Sequence, residues 1–326
     1  MDATRKRRDS FPLISNSEYE EMVLSVLDSG CIDPVLGLLE GYEPPFRPAQ
    51  MNWIARTLQD ELREFNSDCP DRLVKDIVIM RGLMAPTTND TLALTLTRAW
   101  LCMAHVDDTC LRTVAGSMEF LHIFMGSPAI SPLGRYAAHA FGELGRFSDG
   151  DFLAVYKFFY AHSIFGALLE QEYERDDDYA IDPQYVRDRT GHGEVFFSWL
   201  HFFDQSFNFW GNKRFWILGM RPMLDLLDDG NDVFSFYKEA VHGADFAAST
   251  PYRRARREGI PYIAAYRKSV DSTLRAYSNI LELGSDTQKP HLENAMKGYF
   301  YWKTCSGRYR WNELYPESLL VDIPLQ

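Results

Sequence analysis

Residues 228–240 read DDGNDVFSFYKEA, a run in which charged and polar side chains interrupt an apolar helical pattern. On a helix turning 100° per residue, Asn231, Ser235 and Glu239 stand four apart and fall within about 80° of one another. Lys238 lies roughly 20° from Asn231, so all four share one stripe. An amide oxygen, a hydroxyl and a carboxylate are hard oxygen donors, the set that Mg²⁺ or Mn²⁺ accepts while leaving positions for water and substrate phosphate. Lys238 supplies a cation where such a phosphate would sit. A solvated polar face on an amphipathic helix accounts for the same composition, and at this level both readings stand.

A second acidic pair closes another apolar segment, AWLCMAHVDDTCL, with Asp107 and Asp108 at its end. Trp100, Met103 and Ala104 lie on the same helical face as Asp107 and would line whatever space it looks into. Carboxylates at the negative end of a helix dipole gain nothing from the dipole, so they need water, a partner or a metal. An exposed final turn is the alternative.

Positioning these groups falls to helices. Apolar spacing at i, i+3, i+4 and i+7 recurs in nearly every long segment, and strict alternation is almost absent. The pattern predicts ten or eleven helices, over 17–28, 48–65, 71–82, 90–108, 112–125, 132–145, 150–173, 183–209, 216–243, 257–283 and 287–305. Turn signals such as EGYEPPFRP, MAPTTND and ASTPYRRARREGIP separate them. Segments such as TLALTLTRAWLCMAHV and EVFFSWLHFFDQSFNFW are apolar around most of their circumference, as in helices enclosed by others or lining an apolar cavity. With 326 residues, 46% of them hydrophobic, and no Pro, Gly or Ser-rich linker, the expectation is a single all-α domain over 13–326. It follows a flexible basic tail at 1–12 that includes Arg5 to Arg8.

A net charge of -12 argues against a nucleic-acid surface, while an acidic protein still holds an anion through metal ions. The five cysteines (Cys31, Cys69, Cys102, Cys110, Cys305) form no CxxC pair, which fits a reducing, cytoplasmic setting. No apolar run reads as a membrane span, so no membrane partner is expected.

NDVFSFYKE resembles the second metal motif of class I terpene cyclases, N-D-x-x-S-x-x-[KR]-E, at every defined position. VDDTC resembles the start of their first, Asp-rich motif. RDRTG is similar to the diphosphate-sensor segment, with Arg187 as sensor and Gly191 in the effector place at a helix break. WKTCSGRYRW resembles W-x5-R-Y, placing Trp302, Arg308 and Tyr309. The sub-pattern NDxxSFYKE looks most like the fungal trichodiene-synthase-like group. One departure stands out: Cys110, Leu111 and Arg112 occupy the ground where the family carries a further acidic residue.

The resemblance implies a Mg²⁺-dependent lyase of the all-α terpene synthase type. Three Mg²⁺ ions would be held by Asp107, with Asp108 beside it, on one side and by Asn231, Ser235 and Glu239 on the other; Mn²⁺ could replace them. Arg187, Lys238, Arg308 and Tyr309 would bond the departing diphosphate. Farnesyl diphosphate is the implied substrate, a cyclic sesquiterpene the product, and a homodimer is plausible. The resulting cation needs apolar, π-rich walls, for which Trp100, Phe196, Phe197 and Trp302 are candidates, each also explicable as core. A chain-elongating prenyltransferase would carry a second Asp-rich motif where NDVFSFYKE stands. A degenerate bundle that binds a prenyl ligand without turnover is the non-enzymatic alternative.

Overall fold

In a computed structural model the chain is all-α. The structure describes residues 13–105, 114–190 and 192–314, and no strand occurs among them. The basic tail expected at 1–12, and Asp107, Asp108 and Gly191, lie outside the described residues.

Helices α1 (Ser17–Ser29), α2 (Asp33–Gly37), α3 (Pro48–Glu64), α4 (Asp71–Met84) and α5 (Asp90–His105) come first. They are followed by α6 (Val114–Phe124), α7 (Pro132–Leu144) and α8 (Gly150–Glu174). Short helices α9 (Pro183–Thr190), α10 (Gly193–Ser198) and α11 (Leu200–Phe203) lead to α12 (Lys213–His242). The remainder is α13 (Ala244–Ala248), α14 (Thr250–Glu258), α15 (Tyr262–Leu283), α16 (Lys289–Cys305) and α17 (Trp311–Leu314).

Local chemistry explains many of the boundaries. Asn16 caps α1 by accepting the Glu18 N–H at 2.9 Å, and Gly30 ends it in the left-handed region. Asp149 caps α8 by accepting the Phe152 N–H at 2.7 Å.

Two sequence expectations fail. The predicted helix 183–209 is three helices and a 3-10 turn. The break falls at His192, whose φ of 58° is incompatible with continuing a right-handed helix. The segment ASTPYRRARREGIP, read as a turn, contains α14. Pro251 sits in its first turn, where a missing N–H costs nothing, and Gly259 at φ 65° terminates it. Pro261 then precedes α15, which starts at Tyr262 rather than 257.

A third expectation concerned membranes. By length and composition alone α8 is apolar enough to cross one. In the fold it packs against α6, α9 and α10, and 44% of its apolar stretch is buried.

α12 is the structural axis. It packs along α15 and also meets α1, α10 and α16. Its main chain is pinned from outside: the Tyr299 hydroxyl donates to the Leu227 carbonyl at 2.8 Å, Tyr266 to Val233 at 2.7 Å and the Trp311 indole to Phe234 at 2.8 Å. Each such bond contributes about 1 kcal/mol net.

Two close approaches set the neighbours. A Cβ at Gly166 on α8 would collide with the Arg189 carbonyl of α9, and one at Gly298 on α16 with the Leu83 carbonyl of α4. Both glycines therefore let backbones meet where a side chain would hold them apart. Gly298→Ala is expected to lower stability by about 1–3 kcal/mol through overpacking, read as a fall in the urea midpoint. An unchanged midpoint would show that α4 and α16 separate freely.

Candidate active site

Except for Ser235, the polar stripe of α12 opens onto a cavity of about 760 Å³. Asn231, Asp232, Lys238 and Glu239 line it from α12, and Arg187 from α9. Across from them stand Trp302 and Lys303 of α16, with Arg308 and Tyr309 in the 3-10 turn that follows. Asp76 of α4 and Trp100 and Ala104 of α5 also line it, as do residues of α8 and α13.

The charges are organised in pairs. Arg187 donates to the Asp228 carbonyl at 3.3 Å and stands 3.5 Å from the Asp232 carboxylate. Burial works against its guanidinium, but Asp232, Asp228 and Glu239 more than offset that and hold it protonated. Asp232 thus steadies the arginine. Its own carboxyl is pushed up to about 6, chiefly by burial, with Arg187 acting the other way. Burial also raises Glu239, against Lys238, Ser235 and Arg187. Buried carboxyls that resist ionisation in this way gain most from a nearby cation.

The donor set fits a hard divalent ion. Ser235 is buried one turn from both Asn231 and Glu239. Its Oγ has no partner in hydrogen-bonding geometry among the described residues, although it lies close enough to Glu239 to draw that carboxyl's pKa down. Asn231 and Glu239 line the cavity and the buried Ser235 between them in sequence does not; an amide, a hydroxyl and a carboxylate are together the hard oxygen donors such an ion takes. Asn231 Oδ1 presently accepts from Lys303 Nζ and, at 3.4 Å, from the Tyr309 hydroxyl.

No protein-family model matches the chain, and no curated protein matches it in sequence. Solved structures do match. A linalool/nerolidol synthase from Streptomyces clavuligerus, in complex with 2-fluorogeranyl diphosphate, aligns with a TM-score of 0.58 at 12% identity, covering 81% of this chain and 94% of that one. A 2-methylisoborneol synthase from Streptomyces coelicolor A3(2), in complex with Mg²⁺ and geranyl-S-thiolodiphosphate, gives 0.56 at 14%, covering 86% and 96%. The chain has the class I terpene synthase fold.

Within this fold the aromatic side chains form a connected wall. Trp100 and Phe196 rings lie 4.0 Å apart, Phe196 and Tyr299 6.3 Å, Tyr299 and Trp302 6.1 Å, and Trp302 and Tyr309 5.3 Å. Phe197 is not part of it. It packs on Phe215 and Trp216, with centroids 5.6 and 4.5 Å away. Consecutive helical residues point about 100° apart, so Phe196 facing the cavity turns Phe197 into the core.

Three residues were not anticipated from sequence. Tyr299 lines the cavity between Phe196 and Trp302. Asp76 accepts the Trp302 indole N–H at 3.1 Å and the Ser306 hydroxyl at 2.6 Å, tying the C-terminal turn to α4. Burial raises its carboxyl, against Ser306, Arg308, Trp302 and Lys303. Lys303 is 2% exposed, and burial first, then Arg187, Arg308 and Lys238, press its ammonium well below the ordinary lysine pKa. Lys303 follows Tyr299 by four residues, so a helical wheel places them together. Nothing in the spacing ties either to Asn231.

Asp229, behind the stripe, gives a pH signature. Burial and Asp232 push its carboxyl from 3.8 to about 6, against Ser272, Arg254 and Ser269. The native state therefore keeps a proton that the unfolded chain has already released, so stability from this group falls as pH rises from about 4 to about 6. Asp229→Asn removes the effect. Relative to wild type it should gain on the order of 2 kcal/mol over that range, measured by urea denaturation of metal-free protein. A gap that stays constant with pH would show that Asp229 ionises normally.

Proposed function

We propose that the protein is a class I terpene cyclase that ionises a prenyl diphosphate. The observation that carries this is one cavity lined both by hard oxygen donors and cations and by a connected set of aromatic rings. Its volume suits a ligand the size of a prenyl diphosphate. The matched structures hold diphosphate analogues, and one holds Mg²⁺, which supports the same reading.

Asn231, Ser235 and Glu239 would hold Mg²⁺ from α12, with Asp107 and Asp108 completing a three-ion site. Bound Mg²⁺ supplies Lewis-acid charge that makes diphosphate a leaving group. Arg187, Lys238, Arg308 and the Tyr309 hydroxyl orient the diphosphate and donate to its oxygens as the carbon–oxygen bond breaks. The effector role falls to Gly191. Trp100, Phe196, Tyr299 and Trp302 face the allylic cation that remains; each ring face stabilises a cation by about 0.5–2 kcal/mol and offers no nucleophile. Enclosure by those rings excludes water that would otherwise trap the cation. The motif NDVFSFYKE supports placement beside the fungal trichodiene-synthase-like group. Farnesyl diphosphate is accordingly the proposed substrate and a cyclic sesquiterpene the product.

Incubation with farnesyl diphosphate and Mg²⁺, followed by gas chromatography–mass spectrometry, is expected to yield a sesquiterpene. No hydrocarbon or alcohol from farnesyl, geranyl or geranylgeranyl diphosphate would sink the cyclase reading. Binding without product would favour a ligand-binding bundle instead. Asn231→Ala should abolish turnover and Arg187→Ala reduce it by about 100-fold, both with circular dichroism unchanged. Trp302→Ala should redistribute products as well as slow the reaction; an unchanged product profile would remove it from the cation wall.

A further inference from the structure

Lys303 sits at the meeting point of the two halves of the site. Its Nζ donates to Asn231 Oδ1 and to the Tyr309 hydroxyl, and the Tyr309 hydroxyl in turn donates to Asn231 Oδ1 at 3.4 Å. An amide oxygen carries two lone pairs, so both acceptor positions of Asn231 are filled. A metal ion cannot take that oxygen until one of the two donors lets go, and Lys303 is the one that carries charge. The ammonium is otherwise surrounded by ring faces, with Tyr309 at 4.1 Å, Trp302 at 4.7 Å and Tyr299 at 4.9 Å from their centroids.

Both hydrogen-bond partners of Lys303 are neutral oxygens, and it shares the cavity with other cations, Arg187, Lys238 and Arg308 among them, and with carboxylates that include Asp76, Asp232 and Glu239. Arg187, Arg308 and Lys238 repel the Lys303 ammonium, and an arriving multivalent anion relieves that repulsion. An arriving diphosphate offers Lys303 a charge-assisted bond stronger than its present ones. A bare divalent cation has the opposite effect, adding positive charge beside an ammonium that already holds the donor it needs.

We propose that Lys303 is a displaceable internal cation that occupies the Asn231 amide in the metal-free protein and transfers to the diphosphate, so that metal enters the α12 stripe only together with its anion. This rests on the diphosphate reading above and adds an order of assembly to it. Lys303 is thereby a fourth cationic diphosphate ligand, at an undefined position of the W-x5-R-Y motif. The coupling is reciprocal: whatever diphosphate does for metal affinity, metal does for diphosphate affinity.

Titration calorimetry on the purified full-length protein tests this without turnover, using Mn²⁺ alone, inorganic pyrophosphate alone, and pyrophosphate in saturating Mg²⁺. Wild type is expected to take Mn²⁺ weakly alone and much more tightly with pyrophosphate. Lys303→Met should bind Mn²⁺ alone about tenfold more tightly and pyrophosphate about tenfold more weakly, the scale of one charge-assisted hydrogen bond. Lys303→Gln keeps an N–H for Asn231 without the charge, and covers the case in which Met does not fold. It should lose the pyrophosphate affinity to the same degree and gain less for Mn²⁺. Variants within twofold of wild type in every titration overturn the proposal, as do variants in which Mn²⁺ binding alone weakens, the result of a purely structural lysine. Wild type that binds no pyrophosphate with or without metal overturns the diphosphate reading and this proposal together.

Discussion

A polar stripe on a helix packed on nearly every side is the constraint from which the rest of the structure follows. α12 buries Asp228, Asp229, Asp232 and Ser235 almost completely, and isolated charges in such surroundings cost several kcal/mol each. The fold answers by bringing Arg187 against Asp228 and Asp232, by raising carboxyl pKa values through burial, and by opening the stripe onto a cavity. What remains uncompensated faces that cavity. Its two signs of charge are interleaved, which suits neither a simple anion nor a simple cation, but a metal and an anion together.

Rigid placement of this charge depends on features far from it. Side chains of three neighbouring elements bond the carbonyls of Leu227, Val233 and Phe234, so α12 cannot slide without breaking them. Gly166 and Gly298 allow α9 and α16 to lie directly on α8 and α4. These contacts bring Arg187 and the Trp302 to Tyr309 segment to opposite sides of the stripe. Asp76 completes the arrangement by gripping both Trp302 and Ser306. The aromatic wall is thus a product of backbone approach as much as of aromatic content.

Much of the helical plan was legible in the periodicity, because an apolar face repeats at 3.6 residues wherever a helix meets a core. The boundaries that were not legible have local causes. A left-handed residue at His192 breaks one predicted helix, and a TP pair and a glycine frame α14 inside a stretch that resembles a loop by composition. Phe196 and Phe197 show the limit on the site itself. Both are aromatic and adjacent, and only the rotational setting of α10 decides that Phe196 meets the cavity while Phe197 meets Trp216.

The sequence by itself determined the all-α class and the stripe of Asn231, Ser235, Lys238 and Glu239, because these depend on spacing within one helix. It also marked Arg187, Trp302, Arg308 and Tyr309 through their local motifs. Only the tertiary structure decided that these segments face one cavity, that Tyr299 joins its wall, and that Lys303 holds the Asn231 amide across 72 residues of chain. Asp76 belongs to no local pattern, and Lys303 occupies an undefined position of one. Their roles come from which atoms lie across the space from them, and that distance is set by helix packing rather than by any repeat along the chain.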